Sequence, residues 1–183
     1  PLNTGYVIVN SEMVKREIME FYNYPESKIY LVRNGVELDR WLSGDREATR
    51  ADWGVLPGEY LLLFAGSGWE RKGLQFVLTA VRRLRDAGVK LAVVGKGKRP
   101  LNVPRGVRFV EPMRDLENAY AAADLFVFPP IYEPSANVCF EALAAGLPVV
   151  TSSCNGAAEV IEEGINGTVV ADPSDIGALV DAI

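Results

Sequence analysis

Two stretches of this chain carry residue types at spacings that suit the grip of a diphosphate. The first is Gly66-Ser67-Gly68-Trp69-Glu70-Arg71-Lys72-Gly73, which follows an apolar run and opens a helical pattern. A P-loop requires Lys-Ser/Thr after its second glycine, where Leu74 stands, and a dinucleotide fingerprint requires glycine where Arg71 stands. What remains is a glycine-rich turn with two cations at a helix start. Cations there oppose the helix dipole, at about 0.3–1 kcal/mol each, unless an anion offsets them. Helix N-termini bind phosphate, so Arg71 and Lys72 are placed to hold one. Two solvent-facing cations are the plain alternative.

The second stretch is Pro129-Pro130-Ile131-Tyr132-Glu133-Pro134-Ser135-Ala136-Asn137-Val138-Cys139-Phe140-Glu141-Ala142-Leu143. Glu133 falls in a loop, and Glu141 lies two turns into a mostly apolar helix. An acid among Val138, Cys139, Phe140, Ala142 and Leu143 needs hydrogen-bond partners, and ligand hydroxyls are good ones. A cap or a salt bridge is the structural alternative for Glu141. The amides at 136–138 form a second helix N-terminus aimed at the same crevice. Two such termini across one gap make a diphosphate site.

Other features carry less. Gly95-Lys96-Gly97-Lys98 reads as a surface turn or as the edge of a nucleotide pocket. Glu37-Leu38-Asp39 has a metal-type carboxylate spacing, but it follows the Asn34-Gly35 turn rather than a strand's carboxyl end, so no metal is expected. Cys139 and Cys154 lack a base partner and read as small packing residues. Trp69 either stacks on a ligand or packs.

The elements that must position these residues alternate almost throughout. Strands are expected at Tyr6–Val9, Ile29–Val32, Tyr60–Ala65, Leu91–Val94, Val107–Val110, Leu125–Phe128, Val149–Thr151 and Thr168–Val170. Helices are expected near 11–22, 46–53, 73–87, 116–122, 137–145, 157–163 and 174–183, with Ser11 and Ser174 as N-caps and Gly88 and Gly146 as C-caps. This alternation predicts an α/β fold, a Rossmann-like parallel sheet with helices on both faces. Ligands of such sheets bind beyond the strands' carboxyl ends, which points to the loops after Ala65, Val94, Phe128 and Thr151. The polar stretch from Asn34 to Asp45 is the expected hinge or boundary.

Composition narrows the chemistry. The 183 residues suit one ordinary domain plus at most a remnant of another. A net charge of −5 argues against general nucleic-acid binding. Basic residues do gather at Arg82, Arg83, Arg85, Lys90, Lys96, Lys98, Arg99, Arg105 and Arg108, with Asp86 among them, and a solvated face is the expectation. There is no histidine, which excludes Ser-His-Asp and Cys-His nucleophile systems in this chain. Pro1–Asn10 lacks the pattern of a secretion signal, and two cysteines are too few for a disulfide framework, so a cytoplasmic setting is expected.

Taken together, Asn34-Gly35-Val36, Gly66 through Arg71-Lys72-Gly73, Val93-Val94-Gly95, Ala123-Asp124, Glu133 with Glu141-Ala142 eight residues on, and Gly146-Leu147-Pro148 resemble the retaining glycosyltransferases of family 4. The resemblance covers nearly the whole chain, and the loop 66–73 looks closest to the lipopolysaccharide core glucosyltransferases. It implies a GT-B architecture of two facing Rossmann-like domains, of which residues 35–183 are the nucleotide-sugar-binding one. Residues 1–34 then correspond to the end of the N-terminal acceptor domain and the hinge, with the rest of that domain missing.

The resemblance also implies roles. Arg71 and Lys72 contact the diphosphate with the Gly66, Ser67 and Gly68 turn, and Glu133 holds donor-sugar hydroxyls at the reacting carbon. Glu141 holds the ribose, the backbone around Ala136, Asn137 and Val138 caps the phosphates, and Arg108 and Phe109 border the base. Ser67 stands where many members have arginine, and Ala136 where glycine is usual.

The implied reaction is metal-independent transfer from a nucleoside diphosphate sugar with retention, by a front-face path. UDP-glucose is the first expectation and GDP-mannose the second; no cofactor is implied. A peripheral membrane contact at the inner face is expected of the whole protein. Two other readings stay open: a nucleotide-binding module without catalysis, and a nucleotide-sugar epimerase, against which the missing histidines count.

Overall fold

The computed structural model describes residues 5–84 and 87–183. Arg85 and Asp86 of the basic cluster, and Pro1–Thr4 of the opening segment, lie outside the described residues.

The chain begins with a small unit. Strand β1 (Val7–Val9) leads into helix α1 (Glu12–Tyr22), and β2 (Ile29–Leu31) returns parallel to β1 with Ile8 opposite Tyr30. Val9, Tyr24 and Ile29 are buried against α1 and form a hydrophobic cluster of their own. Ser11 caps α1 as expected, its hydroxyl accepting from the Val14 amide.

Helices α2 (Leu38–Trp41) and α3 (Arg46–Trp53) follow, then β3 (Tyr60–Ala65), α4 (Leu74–Arg83), β4 (Val89–Val94), β5 (Val107–Val110), α5 (Leu116–Ala122), β6 (Leu125–Phe128), α6 (Asn137–Ala144), β7 (Val149–Ser152), β8 (Gly167–Val170) and α7 (Ile176–Asp181). The six later strands form one wholly parallel sheet in the order β5-β4-β3-β6-β7-β8. The chain builds outward from β3 to β5, then returns to the other side of β3 with β6. The topological switch point therefore lies between β3 and β6, where ligands of such sheets bind.

The sheet is covered on both faces, so its central strands read as unbroken apolar runs rather than alternations. Leu61, Leu62, Leu63 and Phe64 are buried, and Phe128 meets Phe64 with ring centroids 5.5 Å apart. Full burial of each such side chain stabilises by about 1.5–3 kcal/mol. Helix α4 packs with α7, whereas α3 packs on α5 and α2 on α5 and α6.

Several helix ends differ from the expectation. Helix α7 is capped by Asp175, whose carboxylate accepts from Ala178, because Ser174 spends its own hydroxyl donating to Asp172. Helix α4 ends at the Leu84 cap rather than at Gly88. The stretch 157–163 is a 3-10 turn, Gly156–Val160, not an α-helix, with Asn155 capping it. Gly146 does end α6: it sits at φ 74°, and its amide and that of Leu147 return to Leu143 and Ala142, as a left-handed closing residue allows. The polar stretch after Asn34 contains α2, which buries Trp41 edge-on to Tyr120 at 5.5 Å.

Candidate active site

The loops that leave β3 and β6 are fastened to each other. Ile131 donates its amide to the Arg71 carbonyl at 2.9 Å, and the Arg71 guanidinium donates to the Tyr132 carbonyl. Gly73 begins α4 at φ 80°, where any Cβ would stand 1.9 Å from the Pro129 carbonyl oxygen. Only glycine permits that approach and that backbone, which explains a residue with no side chain at the helix start.

Arg71 and Glu133, one from each loop, form an ion pair at 3.1 Å. The carboxylate is largely enclosed, at 17% exposure, while the guanidinium is 53% exposed and open to solvent. Lys72 takes a different course. A Cβ built on Gly66 would stand 3.0 Å from its Nζ, and the ammonium lies 5.6 Å from the centre of the Phe128 ring. Lys72 thus lies over the carboxyl ends of β3 and β6, with no carboxylate paired to it among the described residues.

The β3 loop is stiffened from the other side by the turn after β4. Ser67 accepts the Lys96 amide at 3.2 Å, Gly68 donates to the Lys96 carbonyl, and Trp69 donates its indole N–H to Gly66 at 2.8 Å. Trp69 is buried on Gly97 and on Phe109, whose ring lies 5.2 Å away. Its indole is thus held by packing and by its own hydrogen bond. Phe109 borders a cavity of about 170 Å³ with Gly95, Lys96 and Glu111 at the carboxyl edge. Arg108 does not join it: its guanidinium runs to the Asp52 carbonyl on α3 at 3.2 Å, near the strands' amino ends. Neighbouring strand residues point to opposite faces, so the two could not share a pocket.

Helix α6 starts at Ala136 with no side-chain cap, leaving its first amides available. Ala136 itself donates to the buried Asn155 side chain at 3.2 Å. Asn137 accepts from Asn34 at 2.6 Å. One turn on, Glu141 shares a cavity of about 260 Å³ with Gly35, Val36, Glu37, Arg40, Trp41 and Asn137. Its carboxylate accepts from the buried Tyr120 hydroxyl at 2.9 Å. Burial raises Glu141 above the ordinary carboxylate range, and the Tyr120 hydrogen bond and the Arg40 charge only partly offset it. The Cys139 thiol is buried and pushed up to about 12, mainly by desolvation, which makes it unreactive.

The family model of glycosyl transferases group 1 matches residues 59–183, more than half of the chain. The chain belongs to the group 1 glycosyl transferases. An uncharacterized glycosyltransferase of Methanocaldococcus jannaschii is 32% identical over 97% of this chain and 50% of its own length. The D-inositol 3-phosphate glycosyltransferase of Mycolicibacterium smegmatis is 31% identical over 97% of this chain and 44% of its own. Among solved structures, WaaG, a glycosyltransferase involved in lipopolysaccharide biosynthesis, superposes with a TM-score of 0.84 at 28% identity, over 96% of this chain and 51% of that one. The fold is therefore that of the GT-B glycosyltransferases. The chain spans about half the length of these relatives, or less.

Within this group 1 glycosyl transferase, some contributors were not evident from sequence. Tyr120 and Arg40, which set the Glu141 environment, come from distant elements and carry no local signature. Ser135, between Glu133 and the α6 cap, holds the one buried side-chain polar atom without a hydrogen-bond partner among the described residues. The basic residues near 82–108 do not form one free patch: Lys90 pairs with Glu59, Arg99 with Glu111, and Arg82 donates to the Asn102 carbonyl. Among the described residues no group of three metal-ligating side chains occurs, and no helix is long and apolar enough to cross a membrane.

Proposed function

We propose that this chain is the donor-binding half of a hexosyltransferase that moves a sugar from a nucleoside diphosphate sugar to a glycan or lipid-linked acceptor, with retention and without a metal. The observation that carries the reading is the fastening of the β3 and β6 loops at the switch point. It pairs Arg71 with Glu133 and brings Lys72 over the β6 end, and in this reading these groups and the uncapped start of α6 share one donor crevice. Membership of the family supplies the reaction class.

In this reading Lys72 and the amides of Asn137 and Val138 hold the diphosphate, with Gly66, Ser67 and Gly68 forming the wall behind it. Glu133, steadied by Arg71, accepts from donor-sugar hydroxyls beside the anomeric carbon. Glu141 keeps one oxygen on Tyr120 and offers the other to the ribose. The bond from the anomeric carbon to the diphosphate oxygen breaks, and the leaving group takes the electron pair. The acceptor oxygen enters from the same face and passes its proton to the departing oxygen. Fixed cations and N–H groups aimed at that developing charge are the large electrostatic contribution to such a step. They also provide a way to do without a metal ion.

UDP-glucose is the first choice of donor, on the motif form of the 66–73 loop. The acceptor side is assigned to a preceding domain that packs on the β1–β2 unit, and membrane contact in the whole protein belongs to that domain. Calorimetric titration with UDP-glucose, UDP, GDP and ADP, with and without magnesium, tests the reading. Saturable binding in the absence of metal is expected, weakened about 10- to 100-fold in Lys72→Ala, the worth of a charge-assisted hydrogen bond. A chain that binds no nucleotide under these conditions has another function.

A further inference from the structure

A separate set of contacts joins α1 to these same loops. Glu159 lies on the 3-10 turn Gly156–Val160, and its carboxylate accepts the amides of Glu12 at 3.0 Å and Met13 at 2.8 Å. Those are the first residues of α1, whose third amide goes to Ser11. An anion at a helix start both satisfies orphan donors and meets the positive end of the helix dipole. Arg33, just beyond β2, donates to the same carboxylate at 3.0 Å. One side chain thus holds the start of α1 and the strand exit together, at only 18% exposure.

The turn that carries Glu159 is tied equally tightly to the β6 loop. Glu133 donates its amide to the Cys154 carbonyl, and Gly156 donates to the Glu133 carbonyl, both at 2.9 Å. Asn155, buried, accepts from Ala157 at the turn and from Ala136 at the α6 cap. Gly156 is pinched in between: a Cβ there would stand 2.0 Å from the Pro134 carbonyl oxygen and 2.5 Å from Ser11. A second tether runs from the Tyr132 hydroxyl to Glu17 on α1 at 2.6 Å.

We propose that Glu159 is a positioning residue, a latch that fixes the N-terminal unit against the 154–159 turn and through it holds the Glu133 backbone and the α6 start in place. Displacement of α1 then loosens the donor loop. The consequence for donor affinity rests on the function proposed above; the mechanical coupling does not.

Amide hydrogen exchange followed by NMR on this chain separates the two. Glu159→Ala speeds exchange at Glu12 and Met13 by about tenfold or more, the scale of a lost charged hydrogen bond, and also at Glu133 and Gly156. Glu159→Gln, which retains one acceptor oxygen, restores part of the protection at all four sites and carries the comparison if the alanine variant unfolds. UDP-glucose affinity falls in the same order as protection at Glu133. Faster exchange confined to Glu12 and Met13 makes Glu159 a local helix cap and overturns the latch, as does no change anywhere. If Lys72→Ala loses UDP-glucose binding while Glu159→Ala keeps it, the donor site stands and the latch's effect on affinity fails. If the unsubstituted chain binds no nucleotide sugar, the donor site fails and the exchange pattern still decides the coupling.

Discussion

At the scale of single residues, the proposed donor site would trade stability for binding most visibly at Glu141. Its carboxyl is raised by burial, so its folded-state pKa exceeds that of the unfolded chain, about 4.3. A raised acid contributes favourably below the unfolded value, and that contribution is lost as pH rises through the folded value. At neutral pH the charged form is therefore a cost. Glu141→Gln, which can still accept from Tyr120, is expected to raise the thermal midpoint at pH 7 and to lose that advantage near pH 4. It should weaken UDP-glucose binding about tenfold, the worth of one hydrogen bond to a charged group. Thermal unfolding at both pH values with calorimetry at pH 7 checks this; a lower midpoint at pH 7 would mean the Tyr120 bond outweighs desolvation.

The sequence made Glu141 suspect because an acid sat among apolar neighbours, and it made Arg71 and Lys72 suspect because cations sat at a helix start. Both signals are local violations of a physical rule, and such violations are readable without a structure. Glu159 violates nothing in its own neighbourhood. Its meaning comes from α1, 146 and 147 residues away along the chain, so only the fold reveals it. Arg108 and Phe109 show the converse limit: the family resemblance placed them together at the base, and strand alternation sends them to opposite faces.

At the scale of elements, the strands were legible because a parallel sheet buried on both faces needs continuous apolar runs. Helix ends were less so, because Ser174 and Asp175 compete for one cap and tertiary geometry picks the winner. Helix α2 was missed since its four residues carry no period, and it is held by Trp41 burying against α5.

The join of α3 to α5 shows how such packing is locked. Arg46 donates to the carbonyls of Ala121, Ala122 and Ala123 at the end of α5, where cations suit the helix dipole. Arg46 and Arg50 both pair with Asp124, which also accepts the Leu61 amide at 2.7 Å where β3 begins. Burial alone would raise Asp124, but the Leu61 amide and the two guanidiniums prevail and hold it below the usual carboxylate range. A depressed acid contributes stability that is complete above its unfolded pKa, about 3.9, and is lost as pH falls through the folded value. Asp124→Asn should cost about 1–2 kcal/mol, the worth of charge-assisted hydrogen bonds at a part-buried, partly screened pair, in urea unfolding at pH 6. The gap between it and the unsubstituted chain should narrow at pH 3. An equal gap at both pH values would show that shape, not charge, is what Asp124 supplies.

At the scale of the whole molecule, the β1–β2 unit leaves one apolar face exposed among the described residues. Val7, Val9, Ile29 and Leu31 face α1 and the cluster beneath it, whereas Tyr6, Ile8, Tyr30 and Val32 are 65%, 72%, 53% and 56% exposed. The Tyr6 and Tyr30 rings touch at 5.6 Å, so the exposed residues form one continuous apolar face. Parallel sheets are stable when both faces are covered, and two strands alone are marginal. The latch at Glu159 keeps this pair in place from below but puts nothing on its outer side. The chain spans about half its relatives' length, and the acceptor domain proposed above would cover this face. Without it, this chain is expected to self-associate and to brighten an apolar dye such as ANS. Replacing Tyr6, Ile8, Tyr30 and Val32 together by Thr, a good strand former, should abolish both effects and leave the six-stranded sheet and UDP-glucose binding intact. Sedimentation velocity, dye fluorescence and circular dichroism on the two proteins decide it. A monomeric, dye-silent parent chain would mean that this face is content with water, and the docking of a second domain there would lose its physical basis.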